Sequence, residues 1–503
     1  MEYVMGIDLG TSSVKVILMD PGGRMAGAAS RGYEVAIPEK GMAQQRAQVW
    51  WEQTRRAIRE AMEKAGISGS QVKAVGFSGQ MHGLVALDRD RQPLMPAIIW
   101  MDQRSSRQQQ RILEAVKELH LEGQLMNRPM PGMLICSLLW VKENQPAVYE
   151  RMAHVLLPKD YIRLCLGGTP ETDLTDGAGS LAFSVRDKKW CEPLLEKLGI
   201  SRELFPEVVK PYDVTGKVTR QAAEETGLEE GTILVAGGAD SAMQLTGNGV
   251  TADGALALNI GTASQILAVT SKPVYDKKLR TQMLCHGIPG LWYQQCGSLN
   301  GGNTLKWLRT RILRTDAGFG QLDAEAGRAP AGCGGLTFLP YLAGERAPVE
   351  NPDARGVFYG LSLEHGQAHM VRSVMEGVVL NLRECLDIFE EAGIRIQVPY
   401  LMASGGGARG KTWRQIQADV FQMPVCQTEA EEEACTGAAV MAAVGAGWYD
   451  SVEEAVKHMG GTGKDPVYPI LENIKIYQEK RMAFRRIYSS LFDNTTGVCY
   501  DGN

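Results

Sequence analysis

No CxxC pair occurs among the ten cysteines, which stand singly at 136, 165, 191, 285, 296, 333, 385, 426, 435 and 499. In a chain of 503 residues that scatter gives no case for structural zinc. It predicts reduced, mostly buried thiols in a cytoplasm. Basic blocks are also missing and the net charge is -5, which argues against a nucleic-acid partner. An anionic ligand is not thereby excluded, because backbone N–H groups can bind phosphate. The first residues lack a basic segment followed by a long apolar one, so a secretory leader is not expected. No run approaches the roughly 20 apolar residues that span a bilayer, so no membrane partner is expected. The Ala/Gly-rich residues 437–447 are too few for that and predict a closely packed helix.

What is present begins with residues 4–20, VMGIDLGTSSVKVILMD. Two apolar runs, 4–7 and 14–19, flank a short Gly/Thr/Ser turn. That pattern predicts a β-hairpin with a polar tip. Asp8 stands where the first strand ends, and Gly10 opens backbone shapes closed to other residues. Thr11, Ser12 and Ser13 add hydroxyls and successive N–H groups. Such a tip can cradle phosphate, and a carboxylate beside it can hold a hydrated divalent cation. An ordinary polar turn closed by an Asx bond has the same spelling. The tip is neither the GxxxxGK[ST] nor the GxGxxG loop. Lys15, on the return strand, either reaches phosphate or faces solvent.

The 44% apolar content and the length predict two domains, and the 57 glycines cluster in short turns between apolar runs. Residues 48–65 have helical periodicity. Residues 72–77 form a buried strand ending in Ser78-Gly79-Gln80-Met81-His82-Gly83. A short apolar run at 97–100 ends in Met101-Asp102-Gln103-Arg104, and 151–157 reads as helix and loop material. The strand 232–236 ends in Gly237-Gly238-Ala239-Asp240, followed by a small-residue helix. The domain boundary falls near 248–254, giving domains 1–248 and 249–503. The second half opens with strand 256–260, the turn Gly261-Thr262-Ala263-Ser264 and a return strand 265–269. This echoes the first hairpin, either as a repeated domain or as coincidence between short turns. Helices follow at 365–389, 411–420, 435–444 and 472–491, the last packing on the surface of the second domain.

Asp240 is the first catalytic candidate: a carboxylate after small residues at a strand end can orient a sugar hydroxyl and accept its proton. The competing role is a helix N-cap. His82 can hydrogen-bond a sugar or serve structurally. Asp102 and Arg104 either bind a polyol through charge-assisted bonds or form a surface salt bridge. Asp176, in TDLTDGAG, is a further substrate-side carboxylate of lower weight. Gly405, Gly406 and Gly407, between a strand and a helix, either admit a flat purine or make a tight turn. His365 and His369 lack the HExxH glutamate and do not indicate a metal site.

Taken in order, these motifs resemble the FGGY carbohydrate kinases over nearly the whole chain, and within them the xylulokinases. MGIDLGTSSVKVILMD is similar to the family's first phosphate hairpin, SGQMHG to its sugar-side loop and GGAD to the strand end with the catalytic aspartate. NIGTASQ resembles the second phosphate segment, YLAGERAPVENPDARGVFYGLS the long family signature, and SGGGARGKTWRQIQADV the nucleotide-binding turn and helix. The resemblance implies an α/β fold of two ribonuclease H-like (actin-like ATPase) domains around a central cleft. The N-terminal domain would hold sugar and base, the C-terminal domain the nucleotide, with closure on binding. It implies ATP and Mg2+ as cofactors and phosphorylation of D-xylulose to D-xylulose 5-phosphate. Another ketose or polyol (ribulose, L-xylulose, xylitol) is the alternative substrate, and an actin-like nucleotide switch the alternative class. Implied sites are Asp240 as base; Met81, His82, Trp100, Asp102 and Arg104 around sugar; Thr11, Ser12, Ser13, Gly261, Thr262, Gly405, Gly406 and Gly407 around nucleotide; and Asp8 for metal. A homodimer is the implied assembly. Two departures stand out: Met101 replaces the usual Asn of Trp-Asn-Asp, and Ala239 replaces a common glycine.

Overall fold

The predicted N-terminal hairpin forms, with β1 (Tyr3–Leu9) antiparallel to β2 (Ser13–Met19) and Asp8 opposite Lys15. Val4, Met5, Ile7 and Leu9 are all buried, since β1 is covered on both faces. The computed structural model describes residues 1–493; Cys499 lies outside them. Among the described residues the other nine cysteines are free, and all but Cys165 are buried. No helix among the described residues is long and apolar enough to cross a membrane.

The chain forms two compact units. The first comprises Met1–Ala252, Val269–Tyr293 and Glu429–Thr462; the second comprises Asp253–Ala268, Gln294–Thr428 and the described residues from Gly463 to Asp493. A single cut after residue 248 does not describe this, because two later segments return to the first unit.

In the first unit, β3 (Met25–Gly32) extends the hairpin and β4 (Val72–Gly79) runs parallel to β1. β5 (Val214–Lys217) and β6 (Ile233–Val235) complete the order β5-β6-β4-β1-β2-β3. The short β7 (Gly238–Ala239) lies parallel to the end of β4. Helix α1 (Ala47–Ala65) buries Trp50, Ala57, Ile58 and Ala61 on one face and ends at Gly66, whose φ of 66° is the left-handed turn a C-cap requires. Two shorter helices, α2 (Leu174–Gly179) and α3 (Asp240–Gly247), stand near the carboxyl ends of the strands. The expectation for 151–157 is corrected: His154–Leu156 is a strand, paired with Val85–Leu87.

Helix α4 (Glu433–Gly445) is the Ala/Gly-rich segment, and its small residues have a packing reason. A Cβ built on Gly6 or Gly76 would stand 2.0 Å from the Cys435 or Ala438 carbonyl oxygen. Between α3 and α4, Gly247 and Gly437 are equally close to backbone of the opposite helix. The helix backbone therefore lies directly on β1 and β4, a distance that larger side chains forbid.

The second unit repeats the plan. β8 (Leu256–Ile260) and β9 (Ser264–Thr270) form an antiparallel hairpin. The strands β10 (Trp292–Ser298), β9, β8, β11 (Leu401–Ser404), β12 (Val425–Thr428) and β13 (Gly463–Val467) lie side by side in that order, with β11 parallel to β8. The strand order around each hairpin matches, so the echo in the sequence is a repeated ribonuclease H-like α/β unit. The buried helix Gln367–Glu391 supports this sheet region, and Leu471–Tyr488 packs on it with Tyr477 and Phe484 buried.

Candidate active site

In the first unit, the turn after Asp8 is pinned by its carbonyls. Gly10 O accepts from the Tyr33 hydroxyl (2.6 Å) and Thr11 O from Gln45 Nε2 (2.8 Å). Ser12 O accepts from Tyr33 N and Ser13 O from Gly10 N, both at 3.0 Å. In a trans peptide the N–H points opposite to the preceding C=O. The N–H groups of Thr11, Ser12 and Ser13 thus face away from these partners, as a phosphate cradle requires. Trp100 Nε1 donates to Thr11 Oγ1 at 2.9 Å, so Trp100 braces the tip. Tyr33 and Gln45 enter as braces that no local motif announces, and Trp100, expected around sugar, bonds to the tip.

Asp8 and Asp240 are within electrostatic reach of each other. Asp8 accepts from Ser78 Oγ at 2.7 Å. Burial lifts its carboxyl above the usual range, against the Ser78 bond and the Lys15 charge. Lys15 does not stand alone: its partly exposed side chain pairs with Glu432 at 2.6 Å. Asp240 opens α3 as its first residue, one position after the N-cap Ala239. Its Oδ1 accepts from Ser241 N at 2.7 Å. Burial, and then the Asp8 charge, push the Asp240 carboxyl up to about 7. A group so placed can take a proton near neutral pH.

Of the sugar-side candidates, Met81 adjoins the residue after Asp240. Ser241 Oγ lies 3.1 Å from Met81 Sδ and 2.9 Å from the Tyr293 hydroxyl. Tyr293 is buried, and nothing in its sequence neighbourhood marks it. His82 holds φ at 73°, a strained shape for a side-chain-bearing residue, and its Nδ1–H donates to Gly179 O at 2.6 Å. Asp102 is fully buried and accepts from Ala43 N at 2.6 Å and from Arg104 N and Nε. Its pair with Arg104 is an interior one rather than a surface bridge, and Arg104 also stacks on Trp140. Met101, immediately before Asp102, is 42% exposed.

In the second unit, Gly261 O accepts from Gly302 N (2.7 Å) and Thr262 O from Asn303 N (3.0 Å), which turns the N–H groups of Thr262 and Ala263 the other way. Glu345, inside the long signature, braces the neighbouring segment 298–300. It accepts from Ser298 Oγ (2.6 Å), Leu299 N (2.9 Å) and Arg346 N (2.8 Å). Gly405 and Gly407 pack on Ile260, where a Cβ would meet its backbone or side chain at 2.6–2.7 Å. Gly406 is the exposed member of the three. Residues 405–412, GGGARGKT, match the phosphate-loop spelling. Yet the Asp323 carboxylate accepts from Thr412 N and Trp413 N, both at 3.0 Å. The anion place at that helix start is therefore filled from within the protein.

Residues 3–247 match the N-terminal domain of the FGGY family of carbohydrate kinases, and residues 256–446 match its C-terminal domain. The chain is 34% identical to a xylulose kinase of Bacillus subtilis over 99% of both chains. The crystal structure of a xyloylose kinase from Brucella ovis superposes with a TM-score of 0.90 at 29% identity, covering 98% of this chain and 100% of that one. A gluconate kinase from Lactobacillus acidophilus also gives 0.90, at 25% identity, covering 97% and 98%.

Proposed function

Since the chain belongs to the FGGY family of carbohydrate kinases, we propose that it transfers the terminal phosphate of ATP to D-xylulose, with Asp240 as general base. The observation that carries the assignment is the Asp8–Asp240 pair, in which burial and mutual repulsion hold Asp240 at about 7 beside the Met81 loop. The sugar oxygen forms a bond to the γ-phosphorus, the β,γ-bridging P–O bond breaks, and ADP leaves. The hydroxyl proton passes to an Asp240 oxygen. Thr11, Ser12, Ser13, Gly261 and Thr262 direct N–H groups and hydroxyls to phosphates, and Gly406 gives the purine a bare surface. Met81, His82 and Trp100 shape the sugar side, while Asp102 and Arg104 fix the loop that carries Trp100.

Asp8 fits a hydrated cation: its half-buried carboxylate lies within electrostatic reach of Asp240 and lacks an equal positive partner of its own, Lys15 being paired to Glu432. Magnesium held there would neutralise charge on the β- and γ-phosphates. The second reading, another ketose, a polyol or a sugar acid, is favoured by the gluconate kinase likeness and by Met101.

ADP release measured with D-xylulose, D-ribulose, L-ribulose, L-xylulose, xylitol and gluconate tests the substrate. The expected outcome is the highest kcat/KM for D-xylulose; a clear preference for another sugar overturns that choice. Asp240→Asn should lower kcat about 10²–10⁴-fold while ATP KM changes little. Near-full turnover in a folded variant overturns the base. Because the folded pKa of Asp240 lies above the ordinary 3.8, the unfolded chain releases that proton first. Stability contributed by this group therefore falls as pH rises from about 4 to 7. The Asn variant should melt higher than the parent at pH 8 and show a smaller difference at pH 4.

A further inference from the structure

We propose that Thr175 is a positioning residue for Asp240, acting through the backbone immediately before it; this rests on the reading of Asp240 as base. Thr175 lies in α2, fully buried. Its Oγ1 accepts from Ala239 N at 2.7 Å and donates to Asp173 Oδ1 at 2.5 Å. A hydroxyl has one proton to give, so the donation to Asp173 leaves the oxygen lone pair directed at the Ala239 N–H. Asp173 is itself locked. It caps α2 by accepting from Thr175 N at 2.7 Å, and its Oδ2 lies 2.8 Å from Lys159 Nζ. Lys159 also pairs with Asp160 at 2.6 Å, and all of these groups are buried.

On its other side, β7 lies against β4, with Gly238 opposite Ser78 and Ala239 opposite Gly79. Ser78 is the residue that holds Asp8. The two-residue strand ahead of Asp240 is thus clamped between the strand that positions Asp8 and the hydroxyl of Thr175. A Cβ on Gly238 would meet Thr175 Oγ1 at 2.8 Å, so the clamp is tight. One hydroxyl converts a buried ionic cluster remote from the reacting atoms into a fixed direction for the base. Rates are sensitive to displacements of about 1 Å in such groups.

The test compares Thr175→Val, Thr175→Ser, Asp240→Asn and the Val/Asn double variant in full-length protein with ATP and the best sugar from the panel. Thr175→Val should lower kcat about 10- to 100-fold while KM for ATP and sugar moves less than threefold. Thr175→Ser, which restores the hydroxyl, should return kcat to within threefold of the parent. In the Asp240→Asn background, Thr175→Val should cost less than a further twofold. Should Thr175→Val not fold, Thr175→Cys replaces it, since sulfur is a weak acceptor, and the same loss is expected. A kcat within twofold of the parent in Thr175→Val, or a full multiplicative loss in the double variant, overturns the positioning role. Full turnover in Asp240→Asn alone overturns the base assignment and, with it, this proposal.

Discussion

At the tip of the first hairpin, Asp8 lies opposite Ser78 on the parallel neighbour; at the tip of the second, Asn259 lies opposite Ser404. The serine donates to Asp8 at 2.7 Å but accepts from Asn259 Nδ2 at 2.8 Å. Across each hairpin the contrast recurs, with Lys15 facing Asp8 and Gln265 facing Asn259. Both turns aim N–H groups outward by tying up their carbonyls. One backbone plan thus carries an ionised corner in the first unit and a neutral one in the second. On the proposed assignment, phosphate needs donors in both places, but only the corner beside Asp240 needs carboxylates. A carboxylate beside the second turn would repel a nucleotide bound there.

Breaking the contrast from the first side should have the largest effect. Asp8→Asn makes that corner resemble its counterpart, and kcat should fall about 10²-fold or more, with a weakened response to added Mg2+ and little change in sugar KM. An unchanged Mg2+ titration would remove Asp8 from the metal role. The reverse change, Asn259→Asp, keeps the fold because Ser404 can donate as Ser78 does. It should raise ATP KM about tenfold, equivalent to about 1.4 kcal/mol, and leave sugar KM alone; a tenfold change in sugar KM instead would refute the neutral-cradle account. The smallest change sharpens the account of the turn itself. Tyr33→Phe removes the hydroxyl that holds Gly10 O, a bond worth about 0.5–1.5 kcal/mol. ATP KM should rise two- to fivefold, and a sugar KM that rises more than ATP KM would show that Tyr33 serves the sugar side.

Both hairpins were legible in the sequence because strand, turn and return strand lie within about twenty residues. Asp240 was legible for the same reason, as a carboxylate following small residues at a strand end. What holds them was not. Tyr33, Gln45 and Trp100 reach the first tip from 23 to 89 positions away in the chain. Glu345 reaches Leu299 from 46 positions away. Such bonds depend on strand order and register, which local spelling does not encode. Asp102 shows the converse: its charge suggested a ligand contact, while the fold spends its oxygens on Ala43 and Arg104. Residues 405–412 carry the spelling of a phosphate loop, and Asp323, 89 positions from Thr412, occupies the place a phosphate would take. A motif fixes what a segment can bind, and the rest of the chain decides what it does bind.

The return of α4 to the first sheet also sets an order of events during synthesis. Gly6 and Gly76 emerge from the ribosome long before Cys435 and Ala438, the residues whose backbone covers them. Until about residue 445 is made, one face of β1 and β4 is left uncovered, and the nascent first unit is a candidate for chaperone binding. The second unit has its main strands and long helix by residue 428, its last strand and final helix excepted, before α4 of the first unit is made. A chain arrested at residue 250 therefore carries Asp8 and Asp240 but not the helix that covers the sheet beside them.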